Sequence, residues 1–89
     1  MAQAIVDPEQ LRQFAAMLKR YCEQVRDSTA SLNHAQARLA ESWRDQEHRK
    51  FAEEFEEQVK IVAKLLEASE KHVPYLLKKA EIIDQYLQR

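Results

Sequence analysis

The sequence predicts an all-α protein built as an antiparallel two-helix hairpin, and three observations carry that reading. The 89 residues hold no glycine and only two prolines, Pro8 and Pro74, so tight turns and bulges lack their usual residues. Charged residues make up 33% and hydrophobic ones 45%, the balance of a long helix or coiled coil. Apolar residues recur in alternating steps of three and four along two stretches, with one short break between them.

The first helix is predicted over residues 8–40. Asp7 is a good N-cap, Pro8 suits the first helical position, and Gln10 occupies the reciprocal place of a capping box. Val6 and Leu11 have the spacing of a hydrophobic staple. The seam then reads Leu11, Phe14, Leu18, Tyr21, Val25, Ser28, Leu32, Ala35 and Leu39, a heptad pattern with one small polar interruption.

The pattern breaks over residues 41–45, which are predicted as a corner. Ser42 or Asp45 can cap a second helix there, and Asp also tolerates a left-handed backbone. A second helix is predicted over residues 46–87. Its seam is Phe51, Phe55, Val59, Val62, Leu66, Ser69, Val73, Leu76, Ala80, Ile83 and Leu87. Glu56–Lys60 and Glu67–Lys71 are favourably oriented pairs. Pro74 removes a backbone donor, yet the seam keeps its phase across it, which predicts a kinked but continuous helix. A break with a third helix beginning at Pro74 is the alternative. Folding at the corner sets Leu39 against Phe51, Val25 against Leu66 and Leu11 against Ala80. The first helix then covers the second to about Ile82, and residues 84–89 form a tail. The whole chain reads as one domain.

A second apolar stripe runs one residue before the seam of the second helix: Ile61, Leu65, Ala68, His72, Tyr75, Ile82 and Tyr86. Met17 and Cys22 flank the seam of the first. Two helices bury little surface, and no third element covers this stripe. The expectation is a dimer in which two hairpins form a four-helix bundle, with Ile61, Leu65, Ala68, His72, Tyr75, Ile82 and Met17 at the interface.

No enzymatic chemistry is expected. His34, His48 and His72 lie far apart, and Cys22 is alone, so neither a metal, a cofactor nor an internal disulfide is predicted. Glu53, Glu54, Glu56 and Glu57 read as a solvated helix face. A net charge of −1 gives no global field for nucleic acid. Residues 1–7 lack the pattern of a cleavable signal peptide, and no apolar run approaches a transmembrane span.

One set of features resembles a known family. The helix opening Asp7-Pro8-Glu9-Gln10-Leu11, the long heptad, Ser42-Trp43 at the corner, and Phe51 and Phe55 downstream are similar to the WXG family. These are small helical hairpins exported by type VII secretion, like the early secreted antigenic targets of mycobacteria. The resemblance extends from Val6 to about Leu87. It implies a homodimer or heterodimer with a similar hairpin, and a role as a secreted substrate, a partner of a larger effector, or a regulator of the export ATPase. The corner motif is Trp43-Arg44-Asp45, with Asp45 where the family has glycine. The family's export signal, Tyr followed four residues later by an acid, is not matched, because Tyr75 is followed by Lys79. The resemblance thus implies a non-enzymatic helical partner protein, secreted without a cleavable signal peptide. The alternative is a cytosolic adaptor or chaperone for a larger protein, not exported. A membrane-active amphipathic helix is a third class.

Overall fold

Asp7 fixes where the first helix begins. Its extended backbone and its Oδ1, which accepts from the Glu9 N–H at 2.9 Å, satisfy an amide that the first turn would otherwise leave unpaired. The cap bond goes to Glu9 and no reciprocal bond from Gln10 forms. In the computed structural model, residues 6–87 are described, and they form α1 (Pro8–Ser42) and α2 (Gln46–Leu87). The expectations for residues 1–5, and for a tail reaching Arg89, fall wholly or partly outside the described residues.

The corner is closed without glycine. The Trp43 N–H donates to the Leu39 carbonyl at 2.9 Å, the Ser42 hydroxyl donates to the same oxygen at 3.3 Å, and Arg44 Nε donates to the Glu41 carbonyl at 3.0 Å. Side chains therefore satisfy carbonyls that a left-handed C-terminal residue often reaches through the backbone. No described residue has a positive φ, so Asp45 does not take the left-handed conformation that its type tolerates. Instead Asp45 Oδ1 accepts from the His48 N–H at 3.0 Å and caps α2. Ser42 belongs to the last turn of α1.

An expected outcome follows from the cap. Asp45→Ala should cost about 1 kcal/mol, whereas Asp45→Gly should cost only a few tenths. Thermal melts of the two variants check this, and equal losses would mean that the Asp45 carboxylate does not cap.

α2 runs unbroken from Gln46 to Leu87 with Pro74 inside it. Pro74 lies beside Lys19, Cys22 and Glu23 of α1.

The two helices meet along thin lines. On α1 these are Ala15, Cys22, Thr29 and Gln36, spaced by seven; on α2 they are Ala52, Val59, Leu66, Val73 and Ala80, also spaced by seven. Ala15, Cys22, Leu66 and Ala80 are the buried apolar side chains among the described residues. Most of these residues are small, so the helices approach closely but remove little apolar surface from water.

The intrachain seam expected from the periodicity is therefore corrected on α1. Phe14, Tyr21, Leu32 and Leu39 are exposed, and so is Phe51 at the start of α2. Leu11, Leu18 and Val25 are half-buried, as are Phe55, Val59, Val62, Val73, Leu76 and Ile83, while Leu66 is buried. The physical reason is a displacement of one residue, about 100° around the helix. The line Phe14, Tyr21, Ser28, Ala35 was assigned to α2, but the next line, beginning at Ala15, faces it.

The tail also begins later than expected, because Arg12 forms an ion pair with Asp84 and holds that turn against α1. Long side chains tilted toward their own N-termini explain this extra reach. Of the expected intrahelical pairs neither forms among the described residues, and Lys60 instead lies 3.7 Å from Glu57.

Candidate functional site

Two ion pairs tell the sides of the hairpin apart. Arg12 meets Asp84, and Arg26 reaches both carboxylate oxygens of Glu70 at 2.7 Å. Arg12, Lys19 and Arg26 sit one step to one side of the line through Ala15 and Cys22. Glu70 and Asp84 sit on the matching side of α2. That side is polar and bridged.

The bidentate geometry has an electrostatic consequence. The Arg26 hydrogen bonds hold the Glu70 carboxyl below its ordinary value, and Glu70 in turn raises the Arg26 guanidinium. Because the folded value of Glu70 is depressed, its contribution is present above the unfolded carboxylate range and lost as pH falls through the folded value. Glu70→Gln should therefore be less stable than wild type at pH 7, by a small margin because the pair is half-exposed. The margin should close in acid. Thermal melts at pH 7 and pH 2 check it, and an unchanged margin would show that the pair is not the cause.

The opposite side is apolar and open. On α1, Leu11, Leu18, Val25, Leu32 and Leu39 form one line, and beyond it come Phe14, Met17 and Tyr21. On α2, Phe55, Val62, Leu76 and Ile83 form the inner line, with Ile61, Leu65, Tyr75, Ile82 and Tyr86 outside. Leu65 and Tyr75 are each 62% exposed, and Phe14 is 56% exposed. Near the corner Leu32, Ala35 and Leu39 border one groove with Phe51 and Phe55, so the two helices present this side together. Every residue expected at the interface is uncovered in the single chain: Met17, Ile61, Leu65, Tyr75 and Ile82, with Ala68 and His72 beside them. Phe14, Tyr21, Leu32, Leu39 and Phe51 join them, having been assigned to the intrachain seam. A contiguous apolar side of this extent is more than a small hairpin ordinarily leaves open to water.

At the corner the tryptophan is half-buried. Its ring lies 4.9 Å from His48 and 5.8 Å from Phe51, and Phe51 stacks on Phe55 at 5.9 Å. His48 is the buried polar residue of the described chain, and its Nε2 is 3.2 Å from the Gln36 side-chain amide. No such role was expected of His48. Its spacing of seven before Phe55 is the signal that places it on the inner line. Among the described residues no group of three or more His, Cys, Asp or Glu side chains is placed to hold a metal. No described helix is long and apolar enough to cross a membrane.

No curated protein and no solved structure matches the chain. A family model described as "Proteins of 100 residues with WXG" matches residues 3–82, across both helices and the corner. With the helical hairpin and the corner tryptophan in place, the chain belongs to the WXG100 family.

Proposed function

We propose that this chain is a non-enzymatic helical partner protein of a type VII-like secretion system, acting by helix–helix binding through its open apolar side. The observation that carries this is the asymmetry of the hairpin. One side is closed by Arg12–Asp84 and Arg26–Glu70, and the other exposes large apolar side chains of both helices. The buried apolar core among the described residues is Ala15, Cys22, Leu66 and Ala80, all but Leu66 small, so a covering helix pair would supply burial that the single chain lacks. Family membership supports the secretion context.

The covering partner is a similar helical hairpin, with a larger secreted effector or the secretion ATPase as further partners of the resulting pair. Export proceeds without a cleavable signal peptide. The second reading, a cytosolic adaptor or chaperone, is favoured by one feature: Lys79 stands where an acid should follow Tyr75.

A tagged copy in the native cell, with medium and cytoplasm assayed separately, tests both. The chain should appear in the medium and vanish from it when the secretion ATPase is deleted. Retention in the cytoplasm in both strains would overturn export and leave the adaptor reading.

A further inference from the structure

We infer that the outward row of α2 is a second docking surface, separate from the open side, and that its occupant is an acidic amphipathic helix of another protein. The inference rests on the reading above in one respect, that a similar hairpin covers the open side, and it names what the covered pair can still bind. The row is Ile61, Ala68, Tyr75 and Ile82. Each lies two positions after a residue of the line that meets α1, about 200° around the helix, so the row points almost directly away from α1. It also lies about 100° beyond the inner line of the open side, Phe55, Val62, Leu76 and Ile83. A hairpin laid on the open side therefore covers that inner line and Leu65, and meets the outward row only at its edge. Ile61 is 58% exposed and Ile82 53% in the single chain, and pairing leaves them so.

A row of cations runs beside the apolar one. Lys64, Lys71 and Lys78 each stand three positions after Ile61, Ala68 and Tyr75, and all three are exposed. Glu67 lies within one turn of Lys64 and Lys71, yet among the described residues it forms an ion pair with neither. Lys78 has a 3.7 Å approach to Glu81. One heptad nearer the corner both rows turn acidic, with Glu54 before Ile61 and Glu57 before Lys64. The complement of this surface is a helix with an apolar residue at every seventh position. Carboxylates line one edge of it for three heptads, and a base follows in the fourth.

The pattern selects a helix over a bilayer. Two straight rows at steps of seven match a partner whose own residues recur every seven. A helix lying in a bilayer interface buries an apolar band at least about 100° wide. Once the open side is covered, a single row remains here, and Glu67 and Glu81 stand on the far edge of the lysines, where they would repel anionic headgroups. Ile61 to Ile82 spans about 30 Å of helix, enough for a contact of the small, transient class.

Two synthetic helical peptides of four heptads test this, each with Leu at every seventh position. In the acidic peptide Glu flanks the Leu over three heptads and Lys over the fourth; in the other the charges are exchanged. Wild type should bind the acidic peptide about tenfold more tightly in dilute buffer, a preference that should shrink at high salt. Lys64→Glu combined with Lys71→Glu should abolish or invert the preference. Tyr75→Asp should abolish peptide binding and leave the mass of the paired protein unchanged, as read by light scattering coupled to size exclusion. Equal binding of both peptides, or of neither, by a protein that still pairs would overturn the docking surface and leave the open-side reading standing. So would a lysine reversal that leaves the preference unmoved, or a Tyr75→Asp chain that no longer pairs, since the row would then belong to the open side. Binding to phosphatidylglycerol vesicles without binding to the acidic peptide would make the occupant a membrane and overturn the helix. A wild type that stays a single chain, alone and with other hairpins of its cell, yet prefers the acidic peptide, would uphold the outward row and overturn the open-side reading.

Discussion

Trp43→Ala should lower the stability of the hairpin by about 3 kcal/mol, at the low end for truncating a large aromatic because part of the ring stays in water. The loss has a definite anatomy. The indole ring fills the corner, packed on the His48 and Phe51 rings, and its removal would open a gap above a histidine that is otherwise buried. Water entering that gap would compete for the contact between His48 and Gln36, which ties the last turns of α1 to the first turn of α2. The cap itself should persist, because the Trp43 backbone N–H bonds to the Leu39 carbonyl whatever the side chain. Chemical denaturation read by circular dichroism measures the loss. Unchanged stability with weakened partner binding would show that the ring serves docking and not packing. Trp43→Phe separates the two further, since a smaller ring should recover part of the packing while removing the indole N–H.

The period of the helices, their caps and the position of the corner were legible in the sequence because each has a local chemical cause. Asp7 and Pro8 start one helix by their own side-chain and backbone properties, and Asp45 starts the other. What was not legible is the direction in which each apolar stripe points. On α1 the stripes through Phe14 and through Leu11 are neighbours, and periodicity alone gives both the same weight. The alternating spacing of three and four put Phe14 and Tyr21 in the intrachain seam with Leu11 and Leu18. The structure instead uses Ala15 and Cys22 there, because small side chains let two long helices lie close, and it keeps the bulky ones for the other side. A run of small residues at steps of seven was the available signal. Long-range pairs such as Arg26–Glu70 depend on the relative register of the helices, which local pattern does not set. The uncovered stripe on α2 was legible for the opposite reason. Ile61, Leu65 and Tyr75 are large, apolar and out of phase with a seam that was already complete.

The largest effect expected of a single substitution belongs to Leu65. It lies near the middle of α2, where a partner's helix would cover it most completely, and it is 62% exposed in the single chain. An Asp there is harmless to one hairpin in water. Under a partner it becomes an unpaired buried carboxylate, which costs several kcal/mol. Leu65→Asp should therefore abolish association at concentrations where wild type associates, shifting the affinity by about a hundredfold or more. Because bound partner stabilises the folded state by mass action, the variant should also lose helicity on dilution at concentrations where wild type keeps it. Glu81→Ala supplies the control. Its side chain is exposed away from the apolar side and lies 3.7 Å from Lys78, so its removal should change association little. If Leu65→Asp associates as wild type does while Met17→Asp on α1 does not, the covering helices sit over α1 alone and the side is not used as one surface. If both variants associate normally, the exposed apolar side is not where this protein meets its partner. Loss in both, with Glu81→Ala intact, is the expected pattern. It would follow from a hairpin whose two helices bury their small residues against each other and leave their large ones for another chain.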